Sequence, residues 1–262
     1  RGLGDVYKRQ MQDSTNETLS QLPIRLLTAT YEDSSKAKAL LLAINAIEEE
    51  GKAGGLRDRQ LALMYDIAVV MDADNVTVPG FLSEVNRAYC TGVWSMQAHR
   101  TGKNLNTDIA LLDGVSEEIN NGFFRSGHNA LGLSAGLAGS GMAFHYFWYY
   151  NAVQELETAG EDKELELALL ECGIHTVYLE HLPVYDEKTQ KKENIKKQRR
   201  RWMAAQFGIL CEGLSFIKYV KQMEGWWRWW PTFDLVDKII QWMLPPRLVQ
   251  PVSYTHLTLP TK

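Results

Sequence analysis

Short apolar runs alternate along this chain with longer stretches whose apolar residues recur at helical spacing. Residues 24–30 (IRLLTAT) form one such run and read as a strand. Residues 36–50 are rich in Ala, Leu, Lys and Glu with a helical period, and Gly51 reads as the stop. Residues 66–71 (DIAVVM) are a compact β-branched run, which predicts a buried strand. Asp72 and Asp74 follow it at the C-terminal end, where α/β sheets gather their ligands. Pro79 fits the first turn of a helix running to Cys90. Residues 93–99 and 175–179 read as further strands, and 108–121, 130–137 and 193–214 as helices. The alternation predicts an α/β domain with a mainly parallel sheet flanked by helices.

Two stretches are less regular. Residues 126–154 contain no Asp, Glu, Lys or Arg, and a membrane span is one reading of such a run. Gly139, Ser140 and Gly141, with His128 and His145, favour two buried helices joined by a glycine loop. Near the end, Trp226, Trp227, Trp229, Trp230 and Trp242 crowd together beside Arg228 and Lys238, a mixture typical of a membrane interface. Residues 234–244 are amphipathic and are expected to lie in the headgroup layer; a helix packed on the protein core is the alternative. Pro245-Pro246 ends that helix.

Composition narrows the classes. With 262 residues, 45% hydrophobic and 23% charged, the chain is large enough for one sizeable domain with a real core. A net charge of −4 gives no reason to expect nucleic acid as a partner. Cys90, Cys172 and Cys211 have no metal-like spacing and suit a reducing compartment. Residues 1–10 and 252–262 match no period of their flanks and resemble translated sequencing-adapter read-through. The native part is therefore expected to be an internal piece of a longer protein.

Three groups of residues carry candidate chemistry. Asp72-x-Asp74 supplies two carboxylates that can reach a hard divalent cation such as Mg²⁺ or Mn²⁺. Aspartates also end strands as plain turn residues. With Val76, the same stretch fits the D-x-D-x-Val/Thr pattern of haloacid-dehalogenase-like phosphatases, with Asp72 as nucleophile. Glu161-Asp162 opens a helical stretch; the pair either complements the helix dipole or supplies a general base. Gln198, Arg201 and Trp202 stand at i, i+3 and i+4 and share one helix face. Arg offers forked donors to phosphate oxygens, and Trp offers a flat apolar surface to a sugar ring. They close residues 188–201, whose eight basic residues against one acid read either as a solvated face or as a surface for headgroups or a diphosphate.

DxD, then ED, then QxxRW, with Gln198 following Asp162 by 36 residues, resembles the family 2 glycosyltransferases of the processive type, the group of cellulose, chitin and hyaluronan synthases. The resemblance implies a GT-A type, Rossmann-like fold over residues 11–214, followed by membrane-interface helices over 215–250. It implies an inverting transfer from a nucleotide sugar, a UDP-sugar, to a saccharide acceptor, in polysaccharide synthesis. Asp162 becomes the catalytic base, and Asp72 and Asp74 hold Mg²⁺ or Mn²⁺. Lys38, Asp72, Asp74, Gln198 and Arg201 bind the nucleotide sugar, while Ser140, Gly141, Glu161 and Trp202 face the acceptor. Lys38 enters through a K-x-x-A-L-N-like stretch that also contains Lys36. The usual Thr before the acidic pair is replaced by Ala159-Gly160, and the family's first nucleotide-binding Asp would precede Ile24. The family also implies membrane lipid as a partner, at the cytoplasmic face of the plasma membrane, through transmembrane helices beyond this sequence. A non-catalytic sugar-binding relative is the remaining alternative.

Overall fold

The computed structural model describes residues 25, 27, 35–156, 160–188, 203–216 and 229–243. Of the strand read at 24–30 only residues 25 and 27 are described, and the QxxRW face falls outside the described residues. Helix α1 (Lys36–Ala53) starts at Ser35, whose side chain accepts the Lys38 N–H, and ends at Gly54. It passes through Gly51, which was expected to stop it. A Cβ there would lie 2.2 Å from Leu61 Cδ2, so Gly51 is a packing position inside the helix. A short helix α2 (Asp58–Leu61) leads into strand β1 (Ile67–Val70). Strand β2 (Val76–Thr77), helix α3 (Phe81–Cys90) and strand β3 (Ser95–Gly102) follow.

Helix α4 (Asp108–Ile119) is shorter than the sequence suggested, because the chain widens into a π-type turn over Asn120–Gly127. The predicted helix over 130–137 is absent. After a one-turn helix α5 (His128–Ala130), the chain runs without regular structure and bonds sideways, Ala135 N–H to Thr176 O and Gly136 N–H to Phe124 O. The expected pair of buried helices is also corrected. The glycine turn leads into strand β4 (Met142–His145), and only then into helix α6 (Tyr146–Val153). Helix α7 (Glu161–Glu171) and strand β5 (Thr176–Asp186) complete the central unit. Residues 203–216 form helix α8, and Trp229–Met243 form helix α9.

The five described strands make one mixed sheet in the order β1-β4-β3-β5-β2. Among them only β3 and β5 pair in parallel; β1–β4, β3–β4 and β2–β5 are antiparallel. A mainly parallel sheet was expected, and β4 is the reason for the difference: it inserts antiparallel between β1 and β3. The β3–β5 register shifts between Ala98 and His99, where His99 comes to face Pro183. A proline has no N–H for the ladder and is tolerated at such an irregularity.

Both sheet faces are covered. Val70, Met142 and Phe144 pack with Ile44 of α1, Tyr149 of α6 and Leu165 of α7. On the other face Met96, Ala98, Ala143 and Val184 meet Phe81 and Val85 of α3. A third cluster joins Leu167 and Leu170 of α7 to Ile209 of α8 and Leu235, Ile239 and Trp242 of α9.

Candidate active site

Strand β1 delivers Asp72 to the edge of the sheet, and a tight turn holds it there. The Asp72 N–H donates to Asn75 Oδ1 at 3.1 Å, and the Asn75 N–H donates back to Asp72 O at 3.0 Å. Asp74 is fastened to the end of β5: its Oδ2 accepts the Glu187 N–H at 3.1 Å, and its carbonyl accepts Lys103 Nζ at 2.8 Å. The two carboxylates therefore have different neighbours within one turn.

Lys36, in the first turn of α1, donates to Asp72 Oδ1 and to the Gly139 carbonyl, the latter at 2.5 Å. The side chain of Lys38, expected near the nucleotide, is exposed, and its backbone N–H serves the Ser35 cap. Lys36 is thus the lysine of this pair that reaches the acidic turn.

The glycine turn lies beside it. Gly139 and Gly141 have φ of +79° and +64°, a region that L side chains rarely adopt. A Cβ on Gly141 would also press Val184 Cγ2 at 3.2 Å. Between them Ser140 is fully buried, and its carbonyl accepts Gln97 Nε2 at 3.0 Å while Gln97 Oε1 accepts the Ala138 N–H at 2.9 Å. Among the described residues Ser140 Oγ has no hydrogen-bond partner. Gln97 thereby fixes both ends of the turn from inside the sheet.

Glu161 and Asp162 open α7, where acidic residues in the first turn complement the helix dipole. Their surroundings differ. Glu161 is buried, and its Oε1 lies 3.8 Å from where a Gly139 Cβ would stand. Burial, with the neighbouring Asp162 charge added, pushes the Glu161 carboxyl up to about 7, against a smaller opposing pull from Lys36. Asp162 is partly exposed. The structure therefore gathers Asp72, Lys36, Glu161 and the 139–141 turn, with Asp74 one residue beyond Ala73 and Asp162 beside Glu161. Gln198, Arg201 and Trp202 lie outside the described residues.

A buried charged network supports this end of the sheet. Arg100 donates to Ala138 O and to Asp186 Oδ2, both at 2.5 Å, and Lys188 Nζ lies 3.0 Å from Asp186 Oδ1. Burial acts to raise the Glu117 pKa, but Arg125, Arg100 and Lys188 outweigh it and hold the carboxyl at about 2. Arg100 links β3, β5 and the approach to the glycine turn. Sequence reading missed it, along with Gln97 and Asp186, because nothing in their local pattern marks residues that meet only after β3 pairs with its neighbours.

Among the described residues no group of three or more His, Cys, Asp or Glu side chains is arranged to hold a metal ion. The available donors are hard oxygens, which suit Mg²⁺ or Mn²⁺ bound through one or two carboxylates plus phosphate oxygens of a substrate. Asp72 and Asp74 supply donors of that kind, and the described residues form no closed, all-protein site.

A family model described as glycosyltransferase-like family 2 matches residues 7–205, which is 199 of the 262 residues. No curated protein matches the chain.

Proposed function

The chain belongs to the glycosyltransferase-like family 2, and we propose that it moves a sugar from a UDP-sugar to a saccharide acceptor with inversion at the anomeric carbon. Family membership implies a nucleotide-sugar donor and an acceptor. The observation that carries the reading further is the meeting of Asp72, Lys36, Glu161 and the glycine turn at one edge of the sheet.

In this reading Asp72 and Asp74 hold Mg²⁺ or Mn²⁺, which offsets the charge of the departing diphosphate when bound. Gln198 and Arg201 grip the same diphosphate, and Arg suits it through paired donors. Trp202 faces the acceptor, and the buried turn of Ser140 and Gly141 shapes the floor of the site behind Asp72 and Lys36. Asp162 removes the proton of the attacking hydroxyl as the new bond forms, and the old bond to the diphosphate breaks on the opposite face of the sugar. Glu161, protonated over part of the neutral range, stands beside it without competing for that proton when neutral.

The working place proposed is the cytoplasmic face of the plasma membrane, in polysaccharide synthesis. No helix among the described residues is long and apolar enough to cross a membrane. Support for membrane contact comes from α9, whose Phe233, Val236, Ile240 and Met243 form one exposed apolar stripe.

The test is UDP release from a panel of UDP-sugars in the presence of Mn²⁺ or Mg²⁺. We expect release from one donor, lowered by about 100-fold or more in Asp162→Asn, and abolished by EDTA. Near wild-type turnover in the variant sinks the base assignment; turnover indifferent to EDTA sinks the metal role.

A further inference from the structure

Lys36 sits where a lysine is locally out of place. It stands in the first turn of an 18-residue helix with no acidic residue in that turn, at the positive end of the helix dipole. Its placement is explained by partners on other elements: the Asp72 carboxylate after β1, the Gly139 carbonyl in the glycine turn, and Glu161, on whose carboxyl its charge acts. Those are the kinds of oxygen a divalent cation takes.

We propose that Lys36 is an internal counter-ion at the metal position, and that it makes metal binding conditional on the donor's diphosphate. The inference rests on the metal role proposed above for Asp72 and deepens it. An ammonium on Asp72 Oδ1 and a divalent ion on the same carboxylate compete, because like charges a few ångströms apart repel. Entry of the ion therefore favours release of Lys36 from Asp72. Its long, flexible stem and partly exposed position allow that movement. A diphosphate at the same turn gives the displaced ammonium a new anionic partner and gives the ion further oxygen ligands. Each ligand therefore strengthens the other, and the coupling is reciprocal. Without donor, Lys36 keeps the Asp72 carboxylate neutralised, and the turn takes up metal poorly.

The experiment is a Mn²⁺ titration followed by electron paramagnetic resonance, on the 262-residue chain and its Lys36→Met, Lys36→Gln and Lys36→Arg variants, each with and without UDP. Without UDP, Lys36→Met and Lys36→Gln should bind Mn²⁺ about tenfold or more tightly than the wild type, since a competing positive charge is gone, while Lys36→Arg stays close to wild type. UDP should tighten Mn²⁺ binding strongly in the wild type and much less in the two neutral variants. Circular dichroism checks that the variants fold, and two neutral side chains of different polarity guard against the failure of one. Equal Mn²⁺ affinity of the wild type and both neutral variants without UDP, with UDP-dependent Mn²⁺ binding present, overturns the role of Lys36 and leaves the metal reading standing. No Mn²⁺ bound by any of the proteins, even with UDP, overturns the metal reading and the inference with it.

Discussion

Glu161 and Asp162 are neighbours in sequence and opposites in environment. Glu161 turns under the glycine loop and is buried, so its neutral form is favoured and its pKa rises from 4.5 to about 7. The folded chain then holds that proton more tightly than the unfolded one. The associated stability is complete below about pH 4.5 and is lost as pH rises to about 7. The loss is on the order of 3 kcal/mol, from roughly 1.4 kcal/mol per pKa unit. Glu161→Gln removes the titrating group, so its urea midpoint should fall less than the wild-type midpoint between pH 5 and pH 7.5. Parallel pH profiles for the two proteins would refute the assignment. The acidic pair was visible in the sequence as a motif, but which member is buried was not. That depends on how α7 is rotated against Gly139, and no local pattern encodes the rotation. Lys36 and Lys38 teach the same lesson: the K-x-x-A-L-N-like stretch pointed to Lys38, while Ser35 starts the helix so that Lys36 meets Asp72.

At the scale of elements, the alternation of strands and helices was legible wherever apolar runs were short and punctuated, as in β1, α3 and β3. It failed at β4. Met142, Ala143 and Phe144 are buried on both sheet faces, so the run shows no alternation and reads equally well as helix. Helix α9 was recognised as amphipathic, and its packing on α7 and α8 is the alternative the sequence offered. Lys238, expected among headgroups, is fully buried and lies 3.0 Å from Glu166 of α7, while Asp234 accepts the Ser134 N–H at 2.9 Å. Burial works against the Glu166 charge, but Lys163 and Lys238 outweigh it and hold its pKa at about 2. That contribution is present above about pH 4.5 and disappears as pH falls toward 2. Removing one partner of a buried pair leaves the other charge uncompensated, which costs about 3–5 kcal/mol. Lys163 remains beside Glu166 at 2.8 Å, so Lys238→Met should lie near the lower end of that range. Chemical denaturation would measure it, and the double variant Lys238→Met with Glu166→Gln should lose less than the two single losses added. Strict additivity would show that the pair does not hold α9 to α7.

For the whole molecule, the inward turn of the α9 charges has a consequence on the outside. With Asp234, Lys238 and Gln241 facing the protein, Phe233, Val236, Ile240 and Met243 are left on the surface, Ile240 at 54% and Met243 at 65% exposure. Through Lys238 and Glu166 the same helix is joined to α7, which begins at Glu161-Asp162. The chain carries a net charge of −4, so general attraction to anionic lipid is not what would bring it to a bilayer. Apolar insertion of the α9 stripe is the remaining force, and it predicts a distinctive pattern. The protein should sediment with zwitterionic vesicles, and high salt should not release it, since screening weakens charge contacts and not apolar ones. Ile240→Glu changes an exposed position, so folding should be preserved. Its vesicle partitioning should fall about tenfold or more, because an isoleucine side chain contributes about 1.5–3 kcal/mol when fully buried and tenfold corresponds to about 1.4 kcal/mol. Vesicle binding that appears only with anionic lipid and vanishes in salt would instead assign membrane contact to basic residues, such as those of 188–201. No vesicle binding at all would leave the α9 stripe to a protein neighbour and remove the support it gives to a membrane-bound glycosyltransferase.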